Sequence, residues 1–326
     1  MVNVSIADIE ATTRKALMRH GASDWIATEV AKAVARAEAF GNRICGLYYL
    51  ESYCQQLETG RVDGAADPVV ERPRAGFVRV DAKYGFAQAA FKTGLPHAVA
   101  AARENGIAAL AVGHAHTCTS LGYFTEIIAD QGLIGIGFTN ASPIVAPPGG
   151  KNRVIGTNPI ACSVPGENGQ LAMHFDFSTS AVALGKITMA KAAGENIPLG
   201  WAVDKDGVPT TDPGKALDGA LVSAGGYKGW GFGLMAELLA AGLTGGVNSL
   251  DVKPLKAPDG PPHDLGQCYI LIDPSVSDVF TQRFDRVAQA IAQEDGGRIP
   301  GQGRKPATSV DVPDAVWAQT LSLAGV

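Results

Sequence analysis

The 326-residue chain contains no CxxC pair, no HExxH helix, no GxSxG elbow, no GxxxxGK loop and no GxGxxG turn. Zinc-site, zincin, α/β-hydrolase, P-loop and standard dinucleotide-fold readings therefore have no motif to stand on. Cysteine is sparse: Cys45, Cys54, Cys118, Cys162 and Cys268 are odd in number and far apart, which excludes a disulfide framework and suits reduced thiols in the cytoplasm. Charge is modest too, at 18% of residues with a net −5 and scattered basic positions, so nucleic acid is not expected as a partner. Charges interrupt every apolar run of the opening MVNVSIADIEATTRK, and neither a signal peptide nor a membrane anchor is expected there.

What is present is a 46% hydrophobic composition, which fits a compact globular protein with room for two domains or one elaborated α/β unit. Ser5 followed by Asp8 marks a helix start, and Gly21 a stop, so residues 5–20 read as a helix. Helices over 23–40 and 47–59 complete a helical first sixty residues. A soft boundary falls near 75, after which short apolar runs at 76–81, 107–112, 133–138, 171–177 and 268–272 read as strands with helices between them. The fold class is thus α/β or α+β. Residues 278–293 carry Phe280, Phe284, Val287 and Ile291 on one face, and that amphipathic helix is expected against the N-terminal helices. The stretch 252–263 reads as a loop and the tail after 296 as irregular.

Forty glycines and nineteen prolines gather in a few places, among them 139–143 (TNASP), 147–151 (PPGGK), 156–159 (GTNP) and 225–229 (GGYKG). Loops of this type turn backbone N–H groups and small hydroxyls toward an anion, with Lys151 or Lys228 adding charge, or they simply build turns. Glycines 229, 231 and 233 leave the start of a helix bare, so something is expected to pack closely there.

The phrases GTNPIA (156–161), FDFSTSAVALGKI (175–187), IPLGWAVDKDGVPTTDP (197–213) and GGYKGWGFGLMAELLAAGLTGG (225–246) resemble the malate/L-lactate dehydrogenase type 2 family, also called L-sulfolactate dehydrogenase-like, over nearly the whole chain. The resemblance implies a homodimeric NAD(P)-dependent oxidoreductase with a β-rich, non-Rossmann nucleotide-binding domain, 76–274, beside a helical domain made of 1–75 and 275–326. It implies Ala141, Ser142, Asp176, Phe177, Ser178 and Lys228 as cofactor-binding residues, to which the 156–159 loop adds Thr157 and Asn158; no metal is expected. Either nicotinamide dinucleotide is expected, NADPH slightly favoured, with a small carboxylate as substrate.

Within that family GRVDG (60–64), AGFVRVDA (75–82) and GFAQ (85–88) are similar to the branch reducing Δ1-piperideine-2-carboxylate and Δ1-pyrroline-2-carboxylate. The chain departs from its family where most members carry Ser-His-Gly and an arginine three positions on, since here Ile44-Cys45-Gly46 and Tyr49 stand there. A second family histidine aligns with Thr117, and a one-residue shift brings in His116, with His114 further back. His116, Tyr53, Thr117 and Cys45 are therefore the catalytic candidates, and Arg43 is a candidate replacement clamp. Ketone reduction needs a positioned proton donor, whereas a cyclic imine arrives protonated, so these departures favour a cyclic 2-imino acid. The alternatives are a 2-hydroxy acid/2-oxo acid dehydrogenase acting on malate, lactate, sulfolactate or ureidoglycolate, and a nucleotide-binding protein that has lost catalysis.

Overall fold

The computed structural model of the chain describes residues 1–166 and 170–326. Strand β1 (Val2–Ser5) leads into α1 (Ile6–Arg19), whose cap is Ser5: its hydroxyl accepts the Asp8 N–H at 3.0 Å. Helix α2 (Asp24–Ala39) follows, and then two 3₁₀ turns at 43–45 and 47–49 precede α3 (Leu50–Glu58). The helix expected from residue 47 starts late because buried Glu38 accepts the Leu47 N–H at 2.8 Å. Gly46 is required beside it, since a Cβ there would lie 2.2 Å from the Glu38 carboxylate oxygen.

Strand β2 (Val69–Arg74) and β3 (Phe77–Asp81) form an antiparallel pair, and α4 (Ala87–Asn105) carries the chain to β4 (Ile107–Ala115), parallel to β3. After α5 (Leu121–Asp130) come β5 (Ile134–Thr139), β6 (Ile160–Pro165) and β7 (Leu171–Phe177), all antiparallel neighbours. A small lobe then contains α6 (Leu184–Ala193), β8 (Ala202–Val203), α7 (Pro213–Asp218) and β9 (Ala220–Leu221) around Ile155, Ile187 and Ile197. Helix α8 (Tyr227–Glu237) continues into a π turn at 238–242. Strand β10 (Leu265–Ile272) inserts between β4 and β5, giving a seven-stranded mixed sheet of order β2-β3-β4-β10-β5-β6-β7. Val80, Leu110, Leu121, Phe124 and Tyr269 fill its core.

The two chain ends meet. β11 (Ser309–Val312) pairs antiparallel with β1, and α10 (Asp314–Ala324) adds Ala324 to the core of Ile9, Leu17, Ile26, Leu50 and Tyr53. One amphipathic expectation is overturned. Helix α9 (Phe280–Ala292) has no buried residue, and its Phe280 and Phe284 face Val164 and Leu171 of β6 and β7 across a cleft, away from the N-terminal helices. Among the described residues no helix is long and apolar enough to cross a membrane.

Candidate active site

The 3₁₀ turns before α3 set one wall. They project Cys45 and Tyr49 on the side of α3 that carries Tyr53, whose ring lies 5.8 Å from that of Tyr49. Burial pushes the Cys45 thiol up to about 12, with nearby Asp176 adding to the shift, so Cys45 is a neutral thiol. Burial also pushes Tyr49 up to about 12. Tyr53 is 1% exposed, and its buried hydroxyl faces Thr119 without a hydrogen bond. Arg43 is turned away from this wall, donating to the Asp311 carbonyl at 3.1 Å, so it is not the carboxylate clamp the sequence suggested.

His116 lies behind Tyr53 and is 1% exposed. Its Nε2 is 2.7 Å from Gln56 Oε1, its ring stacks on His263 at 3.9 Å, and Nδ1 is buried. Burial holds its pKa well below the ordinary value, so the imidazole is neutral and presents no nitrogen to the crevice. Thr117 is nearly buried and donates its N–H to His263 Nδ1 at 3.2 Å. His114 sits elsewhere, its Nδ1 2.7 Å from Asp264. The 254–263 loop is strapped onto α3: Gln56 donates to the carbonyls of Leu255 and Ala257 at 2.8 and 2.7 Å, and Arg61, 1% exposed, donates to those of Pro254, Ala257 and Pro261.

The facing wall is the end of β7. Asp176 accepts the Gly122 N–H at 2.8 Å, and burial raises its pKa. Phe177 stacks on Phe175 at 5.0 Å yet remains 59% exposed. Both Asp176 and Phe177 line a cleft of about 440 Å³ whose far side is the 298–304 turn with Arg298 and Arg304. That turn is extended along β7, His174 donating its N–H to the Pro300 carbonyl at 2.9 Å. Arg304 and Arg36 both hold buried Glu126, the latter at 2.8 Å. Sequence reading passed this turn over as irregular tail; arginines flanking Pro300-Gly301-Gln302-Gly303 were the available signal.

The glycine-rich loops converge on Thr179. Its N–H and hydroxyl donate to the Thr157 carbonyl at 2.9 and 3.0 Å, and its carbonyl accepts the Ala224 N–H at 2.9 Å. Ser178 is bonded to Ser180 beside it, and the turn leading to Lys228 follows directly. Gly229 and Gly233 are needed internally, a Cβ at 229 falling 1.9 Å from the Ala224 carbonyl oxygen and one at 233 falling 2.9 Å from the Thr179 hydroxyl. Gly225, Gly226 and Gly231 have open space instead, and Lys228 is exposed. Ala141 packs backbone to backbone on Gly156, and Ser142 donates to the Lys253 carbonyl at 3.3 Å. Asn158 is fully buried, its amide donating to Glu237 at 2.8 Å and to the Gly233 carbonyl, so its side chain ties the loop to α8 and is not free for a ligand. Among the described residues no three His, Cys, Asp or Glu side chains gather as metal ligands.

Comparison with known proteins identifies the family and the fold. The malate/L-lactate dehydrogenase family model matches residues 4–319. The Δ1-pyrroline-2-carboxylate reductase of Ancylobacter novellus is 38% identical, the match covering 99% of this chain and 97% of that one. The (2R)-3-sulfolactate dehydrogenase (NADP(+)) of Chromohalobacter salexigens is 37% identical over 96% of this chain and 95% of its own. Among solved structures, the Δ1-piperideine-2-carboxylate reductase of Pseudomonas syringae pv. tomato superposes with a TM-score of 0.90 at 34% identity, covering 99% of this chain and 100% of that one.

Proposed function

The chain belongs to the malate/L-lactate dehydrogenase family, and we propose from that premise that it is an NAD(P)H-dependent reductase of a small cyclic 2-imino acid of the Δ1-pyrroline- or Δ1-piperideine-2-carboxylate type. The observation that carries this reading is the chemistry of the crevice wall. Cys45 stands where the family's acid/base histidine is aligned, and its thiol and the Tyr49 phenol, both pushed up to about 12, are poorly matched to donating a proton near neutrality. His116 is sealed behind Tyr53. A cyclic imine brings its own proton as an iminium, so it needs no such donor at the moment of reduction.

The residues present fit a nicotinamide dinucleotide. Open space over Gly225, Gly226 and Gly231, exposed Lys228 and the exposed Phe177 ring offer anion contacts and a flat apolar platform. When bound, the cofactor supplies hydride. Lys228, Ser178 and the backbone of the glycine turn would hold its diphosphate, and Arg298 in the 440 Å³ cleft would favour the phosphorylated form, NADPH. Asp176 faces the substrate as the counter-charge of an iminium N–H, and the amine product takes its second proton from solvent. Cys45, Tyr49 and Tyr53 exclude water from that side.

The further assignments are a two-domain division at about 75 and 275, a cytoplasmic setting suited to five free thiols, and a homodimer. The dimer accounts for Phe232, Leu238 and Leu243, which α8 and its π turn leave 43–60% exposed. The test is NADPH oxidation with Δ1-piperideine-2-carboxylate and Δ1-pyrroline-2-carboxylate against pyruvate and sulfopyruvate. Imino acids should be turned over with kcat/KM about 10²-fold higher. Faster reduction of either oxo acid would transfer the protein to the 2-hydroxy acid dehydrogenases, and NADPH binding without turnover of any of them would leave a nucleotide-binding protein.

A further inference from the structure

A substrate carboxylate entering the crevice meets a wall from which the family's arginine is missing. Tyr49 occupies that position, and four of the cations around the crevice are committed: Arg43 to the Asp311 carbonyl, Arg61 to carbonyls of the strap, Arg36 and Arg304 to Glu126. Lys256 is different. Its ammonium lies 3.6 Å from the centre of the Tyr48 ring and 5.6 Å from that of Tyr49, and donates to the Tyr48 carbonyl at 3.3 Å. Among the described residues it has no carboxylate partner within 4.0 Å.

The backbone that carries Lys256 is fixed on both sides. The carbonyls of Leu255 and Ala257 accept from Gln56 at 2.8 and 2.7 Å, the Ala257 carbonyl also accepts from Arg61, and Thr59 donates to the Pro258 carbonyl at 2.7 Å. Gln56 and Tyr53 share α3, so one helix positions both the crevice wall and the lysine. Two aromatic faces hold the ammonium near that wall, and among the described residues a carbonyl is its one hydrogen-bonded acceptor.

We propose that Lys256, carried on the 254–263 strap, is the cation that receives the substrate carboxylate in place of the arginine that Tyr49 has replaced. The inference rests on the reductase reading for the identity of the substrate. A compact ammonium on a four-carbon stem reaches a carboxylate as a point charge, without the bidentate geometry an arginine imposes, and so accepts rings of different size.

The experiment compares wild type, Lys256→Met and Lys256→Arg in two measurements. In turnover, K256M should raise KM for Δ1-piperideine-2-carboxylate about 10²-fold with kcat within about 3-fold, and lower the preference for that substrate over carboxylate-free Δ1-piperideine by about 10²; K256R should recover most of both. In calorimetry with NADP⁺ present, pyridine-2-carboxylate should bind wild type and K256R and bind K256M at least about 10-fold more weakly. Lys256 is exposed, so an unchanged melting temperature is expected and confirms an intact strap. Equal binding of pyridine-2-carboxylate by wild type and K256M, or no binding by wild type, overturns the proposal. If oxo acids prove to be the substrates, the imino-acid reading fails while the calorimetric comparison still decides the role of Lys256.

Discussion

Gly122 and Asp176 are locked together: the Gly122 N–H donates to the carboxylate at 2.8 Å, and a Cβ at 122 would fall 2.9 Å from the Asp176 Cβ and 2.9 Å from the His174 ring. The first turn of α5 thus fixes the carboxylate whose charge adds to the upward shift of the Cys45 thiol. Replacing Asp176 with Asn keeps the shape and removes the counter-charge. Turnover of the imino acid should fall about 10²–10⁴-fold, with NADPH binding within a few-fold of wild type. Full activity in D176N, measured by steady-state kinetics, would remove Asp176 from the mechanism.

Gly122→Ala tests the same relationship from the other side. Overpacking should cost about 1–3 kcal/mol in urea unfolding, and displacement of Asp176 should lower kcat more than it raises the KM for NADPH. A variant with normal stability and normal kcat would contradict the packing described.

Three buried imidazoles make stability fall on the acidic side of neutrality. Burial lowers His174 to about 4 and His263 to about 3, and holds His116 well below its usual 6.5. Between those values and 6.5 the unfolded chain binds protons that the folded chain refuses, so stability is full above 6.5 and is lost as pH falls below it. Each group contributes about 1.4 kcal/mol per pH unit in that window. The measurement is urea unfolding at pH 7, 6 and 5. His174→Gln should flatten the slope by about one proton; an unaltered slope would mean His174 is charged when folded. His116→Gln, by the same buried placement, should change stability more than kcat.

Arg61 holds the strap through three carbonyls while being 1% exposed. Arg61→Met removes three donated hydrogen bonds, leaving the Ala257 carbonyl to Gln56 and the Pro254 carbonyl to the Ala257 N–H, and should destabilise by about 2–4 kcal/mol. Limited proteolysis should then cut within 254–263 in the variant and not in wild type. Resistance to cutting would show that Gln56 and Thr59 suffice.

Lys228→Met should weaken NADPH about 10-fold at low salt, with a smaller difference at 0.5 M salt and little change in kcat. Arg298→Ala should affect NADPH more than NADH in fluorescence titrations, moving the preference toward NADH. Equal loss for both cofactors would place Arg298 away from the adenosine 2′ position.

Local chemistry was readable where it acts locally. Ser5 with Asp8 announced α1, and the short apolar run of 171–177 announced β7, because a cap and a strand of this length are written in neighbouring residues. Strand β6 was not visible: its Ala161, Cys162 and Ser163 are small because α5 packs over them, Ser163 donating to Thr125 at 2.8 Å, and small residues carry little strand signature. The insertion of β10 between β4 and β5 depends on pairings more than a hundred residues apart, which no local pattern encodes. The site shows the same division. Thr157 and Lys228 were singled out by the glycines beside them and Ser178 by the resemblance, and Thr157 and Ser178 do lie against Thr179, whereas Asn158 has an equally suggestive neighbourhood and its side chain is used inside. Lys256 sits in a stretch whose place is decided by the distant side chains of Gln56, Thr59 and Arg61, so nothing near it in the sequence marks it.

The ribbon of β1 and β11 joins residues 2–5 to 309–312. During synthesis the helices of residues 6–58 must wait, with part of their apolar side uncovered, until residues 309–324 have been made. The central sheet meanwhile has all its strands by residue 272. The half of the crevice that carries Cys45 and Tyr53 is therefore completed after the sheet, and a nascent chain stalled before residue 309 would present the glycine-rich loops facing an incomplete wall.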